Sequence, residues 1–124
     1  MIAFTGSCTA AVGVTDLDRG VAFYRDVLAF EVVAVMPDHA WAQLRSPVAG
    51  LAVGLGSVEE VAKGGGATLT FEVEDLDSAH AELEAAQVPF DGDTLSVGDE
   101  LWIATFFDPD GNQLMLTEHR ESGR

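Results

Sequence analysis

Apolar and polar residues alternate along this chain in short runs, interrupted twice by stretches whose apolar positions recur three or four apart. Cys8 to Val14 reads as a strand, with Val12 and Val14 on one face and Thr9, Ala11 and Gly13 on the other. Leu17, Val21, Tyr24 and Leu28 then form a helical stripe. Asp16 stands before it as an N-cap and acidic Asp18 sits near its positive end, so the pattern predicts a helix from about Leu17 to Leu28. Phe30 to Met36 reads as the next strand, stopped by Pro37 and Asp38. His39 to Arg45 alternates cleanly, which puts His39, Trp41, Gln43 and Arg45 on one face and Ala40, Ala42 and Leu44 on the other. Gly50 to Leu55 follows as a short strand of small residues.

The second half repeats this scheme. Val14-Thr15-Asp16-Leu17-Asp18 recurs as Val73-Glu74-Asp75-Leu76-Asp77, an offset of 59 residues, which points to two copies of one supersecondary unit. Thr68 to Val73 reads as a strand that turns Leu69, Phe71 and Val73 toward a helix and Thr68, Thr70 and Glu72 away from it. Asp75 caps a helix from about Leu76 to Gln87, buried through Leu76, Ala79, Leu83 and Ala86. Pro89 to Gly98 is a strand or turn carrying two acidic residues, Asp91 and Asp93. Leu101 to Phe107 and Asn112 to Glu118 form a hairpin closed by Asp108-Pro109-Asp110-Gly111, in which Pro109 presets the corner and Gly111 takes the left-handed conformation. Met115, Gln113 and Thr117 fall on one face of its second strand, and Leu114 and Leu116 on the other. The 124 residues thus read as a single α+β domain with a first module of about 5–56 and a second of about 66–119. Between them lies a connector of about 57–65, with Ser57 capping one or two helical turns through Val61 and Gly64-Gly65-Gly66 as a flexible joint. His119 to Arg124 reads as a loose tail.

Composition narrows the function classes. The formal net charge of −15, from 21 acidic and 6 basic residues, opposes nucleic acid and anionic membrane surfaces and attracts a cationic ligand at long range. Cys8 is the only cysteine, so no internal disulfide forms, and it reads as a small buried hydrophobe rather than a nucleophile. No secretory signal pattern and no apolar run long enough to span a bilayer is visible, which points to a cytoplasmic protein.

Asp16-Leu17-Asp18-Arg19, Phe23-Tyr24-Arg25-Asp26-Val27-Leu28-Ala29-Phe30, Phe71-Glu72-Val73-Glu74-Asp75-Leu76 and Asp108-Pro109-Asp110-Gly111-Asn112 occur in an order that resembles the glyoxalase, bleomycin-resistance and extradiol-dioxygenase superfamily. The resemblance implies two tandem βαβββ modules forming a curled mixed sheet around a cavity, and a homodimer in which two chains contribute to each site. It also implies a test, because enzymes of that superfamily hold one divalent metal with four side chains, usually His, Gln or Glu. The corresponding positions here are Thr9, Thr68, Met115 and one of Val53 or Gly54. A neutral hydroxyl is a poor ligand, a thioether suits soft metals, and Val or Gly offers no side-chain donor, so no metal and no cofactor is expected. His39, His80 and His119 show no ligand spacing.

By the same parity, the face available to a ligand carries Thr9, Ala11, Gly13, Trp41, Gln43, Thr68, Thr70, Glu72, Gln113 and Met115, with Trp102 and Phe106 as further candidates. Rings with sparse hydrogen-bonding groups suit a flat organic molecule, aromatic or cationic. Glu72 is the ionisable group that parity places inward, as a base, as the partner of a cation, or paired with Arg45. Arg45 equally suits an acidic ligand at the rim. The reading that results is a metal-independent small-molecule binder of the bleomycin-resistance type. Its alternatives are a metal-dependent lyase or dioxygenase with displaced ligands, and a metal-free enzyme using Glu72 as base.

Overall fold

The chain's strands and helices come out in the expected order in a computed structural model, which describes residues 1, 3–61 and 67–121. Two compact units, Met1–Ala62 and Lys63–Arg124, each hold one four-stranded mixed sheet and one helix, an α+β architecture. Both sheets are open rather than closed on themselves. Among the described residues no helix is long and apolar enough to cross a membrane.

In the first unit, β1 (Cys8–Val14) lies parallel to β4 (Leu51–Ser57), and β3 (Trp41–Arg45) and β2 (Glu31–Met36) complete the order β1-β4-β3-β2. Asp16 caps α1 (Leu17–Ala22) as expected, its Oδ1 accepting the Arg19 N–H at 3.1 Å. The helix does not end there. It widens into a π turn, Phe23–Val27, in which the Leu28 N–H reaches the Phe23 carbonyl. The repeat explains that turn: the copies lie 59 residues apart from Asp16 to Asp75, but only 58 apart from Ala29 to Gln87, the left-handed residues after each helix. One extra residue in the first copy is absorbed by a wider turn, which keeps Tyr24 and Phe30 buried with their ring centres 5.8 Å apart.

In the second unit, β5 (Leu69–Glu72) pairs in parallel with β8 (Gln113–His119), and β7 (Leu101–Phe107) and β6 (Leu95–Val97) follow, in the order β5-β8-β7-β6. Asp75 caps α2 (Leu76–Ala85) through the Ser78 N–H, and the helix buries Leu76 and Leu83. The closing turn is held by Asp108, which is buried and accepts hydrogen bonds from the backbone of Asp110 and Asn112 and from the Asn112 amide.

Four expectations are corrected. Pro37 starts a 3₁₀ turn through His39 rather than only stopping a strand; left-handed Ala40 ends it, so β3 begins at Trp41. Ser57 ends β4, and the described residues 58–61 after it form no helical turn; the Val58 N–H donates to the Val14 carbonyl instead. Gly64-Gly65-Gly66 lies outside the described residues. Cys8 is exposed at the start of β1. His119 is no tail residue but pairs with Leu101, and Arg120 is fastened as well: its guanidinium stacks 4.6 Å from the Trp102 ring centre and pairs with Glu118 and Asp77.

Glu118 gives this corner a pH dependence. Its carboxylate accepts from Arg120 and from the Leu76 N–H at the start of α2, 2.6 Å away, and both hold its pKa below the ordinary 4.5. A carboxyl whose pKa is lowered by folding stabilises the fold above its unfolded value, and that contribution is lost as the pH falls through the folded one. We expect Glu118→Gln to melt several degrees below the parent at neutral pH, with the gap closing on acidification below 4.5. A gap that is independent of pH in thermal melts would show that the charge on Glu118 plays no part.

Candidate binding face

Each sheet carries its helix on one face and leaves the other open. In the first sheet Ala42, Leu44, Val53 and Leu55 point to the helix and are buried. The opposite face therefore carries Trp41, Gln43 and Arg45 from β3, Ala52, Gly54 and Gly56 from β4, and Thr9, Ala11 and Gly13 from β1.

Trp41 is the largest group there, and two glycines decide where its ring lies. A Cβ built on Gly54 would stand 1.9 Å from Trp41 Cζ2, and one on Gly56 would stand 3.5 Å from the other edge of the ring. The indole thus lies flat across β4, in contact with bare backbone. Its N–H donates to Gln43 Oε1 at 3.2 Å, and the Gln43 amide nitrogen donates to Thr9 Oγ1 at 3.1 Å. The bridge runs from β3 to β1 over Gly54, whose missing side chain leaves the room for it. Arg45 lies one row further on and is exposed, with Nη1 3.1 Å from Glu31 Oε2. A hollow of about 400 Å³ adjoins this row, lined by Gln43, Arg45, Val33, Ala52 and the β3–β4 turn.

Thr9, Trp41, Gln43 and Arg45 are thus brought together as the alternation predicts. On the open face of the second sheet, Thr70 stands beside Met115 and Glu72 beside Thr117, with Gln113 on the same face. Thr68 precedes β5 and is exposed. Glu72 is exposed rather than enclosed by apolar side chains, and Arg45 has Glu31 as its partner.

Trp102 and Phe106 lie on the other face. Phe107 pairs with Gln113, so Phe106 stands beside Leu114 and Trp102 beside Glu118 on the helix side. Phe106 is 1% exposed and its ring meets Phe90 at 5.8 Å. Ile103, Thr105 and Phe107 take their places on the open face.

What sequence reasoning missed is the role of Gly54 and Gly56 as the floor beneath Trp41. Their signal was present as a Gly-x-Gly in a strand whose partner across the preceding hairpin carries a tryptophan.

A divalent metal of the kind the fold suggests does not fit the residues present. Val53 points into the core, which leaves Gly54 as the β4 position on the open face of the first sheet; the other positions that the resemblance implies are Thr9, Thr68 and Met115. None carries a carboxylate or imidazole. Among the described residues no three His, Cys, Asp or Glu side chains gather. His39 sits in the turn before β3, His80 stacks on Phe90 with Nδ1 2.6 Å from Glu84, and His119 ends β8.

The profile of the Glyoxalase/Bleomycin resistance protein/Dioxygenase superfamily matches residues 7–116. None of the curated proteins matches the chain in sequence. Among solved structures, a member of that superfamily from Sphaerobacter thermophilus DSM 20745 is 29% identical over 95% of this chain and 98% of its own, with a TM-score of 0.77. TnmS3, an antibiotic binding protein from Streptomyces sp. CB03234, is 22% identical over 97% of this chain and all of its own, with a TM-score of 0.76. FosX, a genomically encoded fosfomycin resistance protein from Listeria monocytogenes, is 17% identical over 97% and 96%, with a TM-score of 0.78, and a mutant of it has been solved with Mn(II). The likeness to these last two is one of fold.

Proposed function

The chain belongs to the Glyoxalase/Bleomycin resistance protein/Dioxygenase superfamily, and from that premise we propose that it binds small, flat organic molecules without a metal, sequestering a drug or metabolite rather than transforming it. The observation that carries this reading is the Trp41 ring laid flat on Gly54 and Gly56. A ring held from beneath by backbone and from the side by Gln43 offers its outer surface at little entropic cost, and stacking on it supplies affinity by contact alone. The lack of carboxylate or imidazole at the four metal positions supports the same view. So does the description of one fold relative as an antibiotic binding protein. The protein acts as a homodimer in this reading, which light scattering on the purified chain checks.

The test is a titration of aromatic compounds against tryptophan fluorescence with a chelator present throughout. Trp102→Phe leaves Trp41 as the sole tryptophan. We expect saturable quenching by some members of the panel, and at least about tenfold weaker binding in Trp41→Ala, read by calorimetry. Silence across a broad panel would contradict the proposal.

A further inference from the structure

The hydrogen bonds on this face have a direction. An indole N–H can only donate, so the oxygen of the Gln43 amide must be the atom that meets Trp41, and the NH₂ end must point to Thr9. One amide hydrogen is used on Thr9 Oγ1, and the other is left over. The Thr9 hydroxyl accepts, so its own hydrogen remains to be given, and among the described residues no acceptor takes it. The third polar group is a guanidinium, which has five N–H hydrogens and no acceptor, and Glu31 engages Arg45 through one nitrogen. Three neighbouring groups therefore still have hydrogens to give, while the Gln43 and Thr9 oxygens each already accept one bond and the guanidinium has no lone pair at all.

Resting on the binding role proposed above, we propose that the ligand is a planar conjugated molecule bearing carboxylate or carbonyl oxygens. Its ring lies on Trp41, and its oxygens meet the edge formed by Thr9, Gln43 and Arg45. The hollow beside Gln43 and Arg45 leaves room for it, walled by Val33, Val48 and Leu51. The net charge of −15 favours cations, but only at long range. At physiological salt such fields fade over about 8 Å, whereas an unmatched donor or acceptor at contact costs about 1–3 kcal/mol. The contact polarity decides the selection: a cation set against this edge would meet the Arg45 guanidinium and the spare donors of Gln43 and Thr9, and the one carboxylate beside them, Glu31, is already engaged with that guanidinium.

Three probes on one ring system separate the possibilities: naphthoate, acetylnaphthalene and naphthylmethylammonium, titrated into the Trp102→Phe protein with chelator present. We expect the two oxygen-bearing probes to bind at least about tenfold more tightly than the ammonium. Arg45→Gln should weaken naphthoate while leaving acetylnaphthalene nearly unchanged. Gln43→Glu turns an outward donor into an acceptor and should weaken both, and Gln43→Met, which removes the donor without adding charge, should do the same. Circular dichroism confirms that each variant is folded. Equal binding of all three probes, or preference for the ammonium, overturns this inference while leaving the binding role intact. No saturable response to any probe overturns both.

Discussion

Gly54→Ala is expected to remove ligand binding while leaving the fold in place. The new methyl carbon would occupy the position 1.9 Å from Trp41 Cζ2 and 2.3 Å from Cη2, so the ring must leave β4. Backbone cannot yield there, because β4 is paired on both sides, but the ring is the free end of a side chain and can swing outward. Its departure breaks the bond to Gln43 and with it the lock on the amide that reaches Thr9. Stability should change by less than about 1 kcal/mol, since the lost ring contacts are offset by replacing glycine inside a strand. Tryptophan emission should shift to the red, and affinity for any probe of the face should fall at least about tenfold. Gly56→Ala is the control, because a carbon there would meet the ring at 3.5 Å, an ordinary contact. If Gly54→Ala bound as the parent does, the flat tryptophan would not be the binding surface.

Phe106→Ala should do the reverse, costing stability and sparing the binding face. Phe106 is 1% exposed, stands beside Leu114 in the sheet and meets the ring of Phe90. Truncating a buried phenylalanine costs about 3–5 kcal/mol through lost transfer energy and the cavity left behind. That is a large share of the roughly 5–15 kcal/mol that holds an ordinary domain together. Thr105→Ala, on the open face of the same strand, should cost less than about 1 kcal/mol. Denaturant unfolding of the two variants measures the difference. A small loss for Phe106→Ala would move that ring out of the core and back toward a ligand.

The contrast between these two residues also shows what the sequence carries. β8 alternates where it matters, with Leu114 and Leu116 on the helix side between Gln113, Met115 and Thr117 on the other, so its faces could be read directly. β7 is apolar on both faces, and alternation alone cannot orient Leu101-Trp102-Ile103-Ala104-Thr105-Phe106-Phe107. Its orientation is inherited through the turn: Asp108–Asn112 sets Phe107 opposite Gln113, which forces Phe106 to Leu114 and the core. The turn was legible, and carrying its register one residue further would have placed Phe106 correctly.

The helix caps were legible for a simpler reason, since Asp16 and Asp75 act within three residues of themselves. The π turn was not, because periodicity tolerates one extra residue in a helix and only the shortened repeat offset betrays it. Arg120 was misread because two of its partners, Asp77 and Trp102, are distant in sequence, and the third, Glu118, is brought to it by the strand. Trp41, Gln43 and Thr9 were assigned to one face from alternation. The contact that organises them depends on strand order, which sets Gly54 of β4 between β3 and β1.

The central claim is that the four positions where a metal would be held carry no carboxylate or imidazole, so that a bare sheet face is left to grip an organic molecule. Elemental analysis of protein purified without any chelator tests it most directly. Transition-metal content far below one atom per chain is expected. Manganese, iron, nickel or zinc at one atom per chain would contradict it.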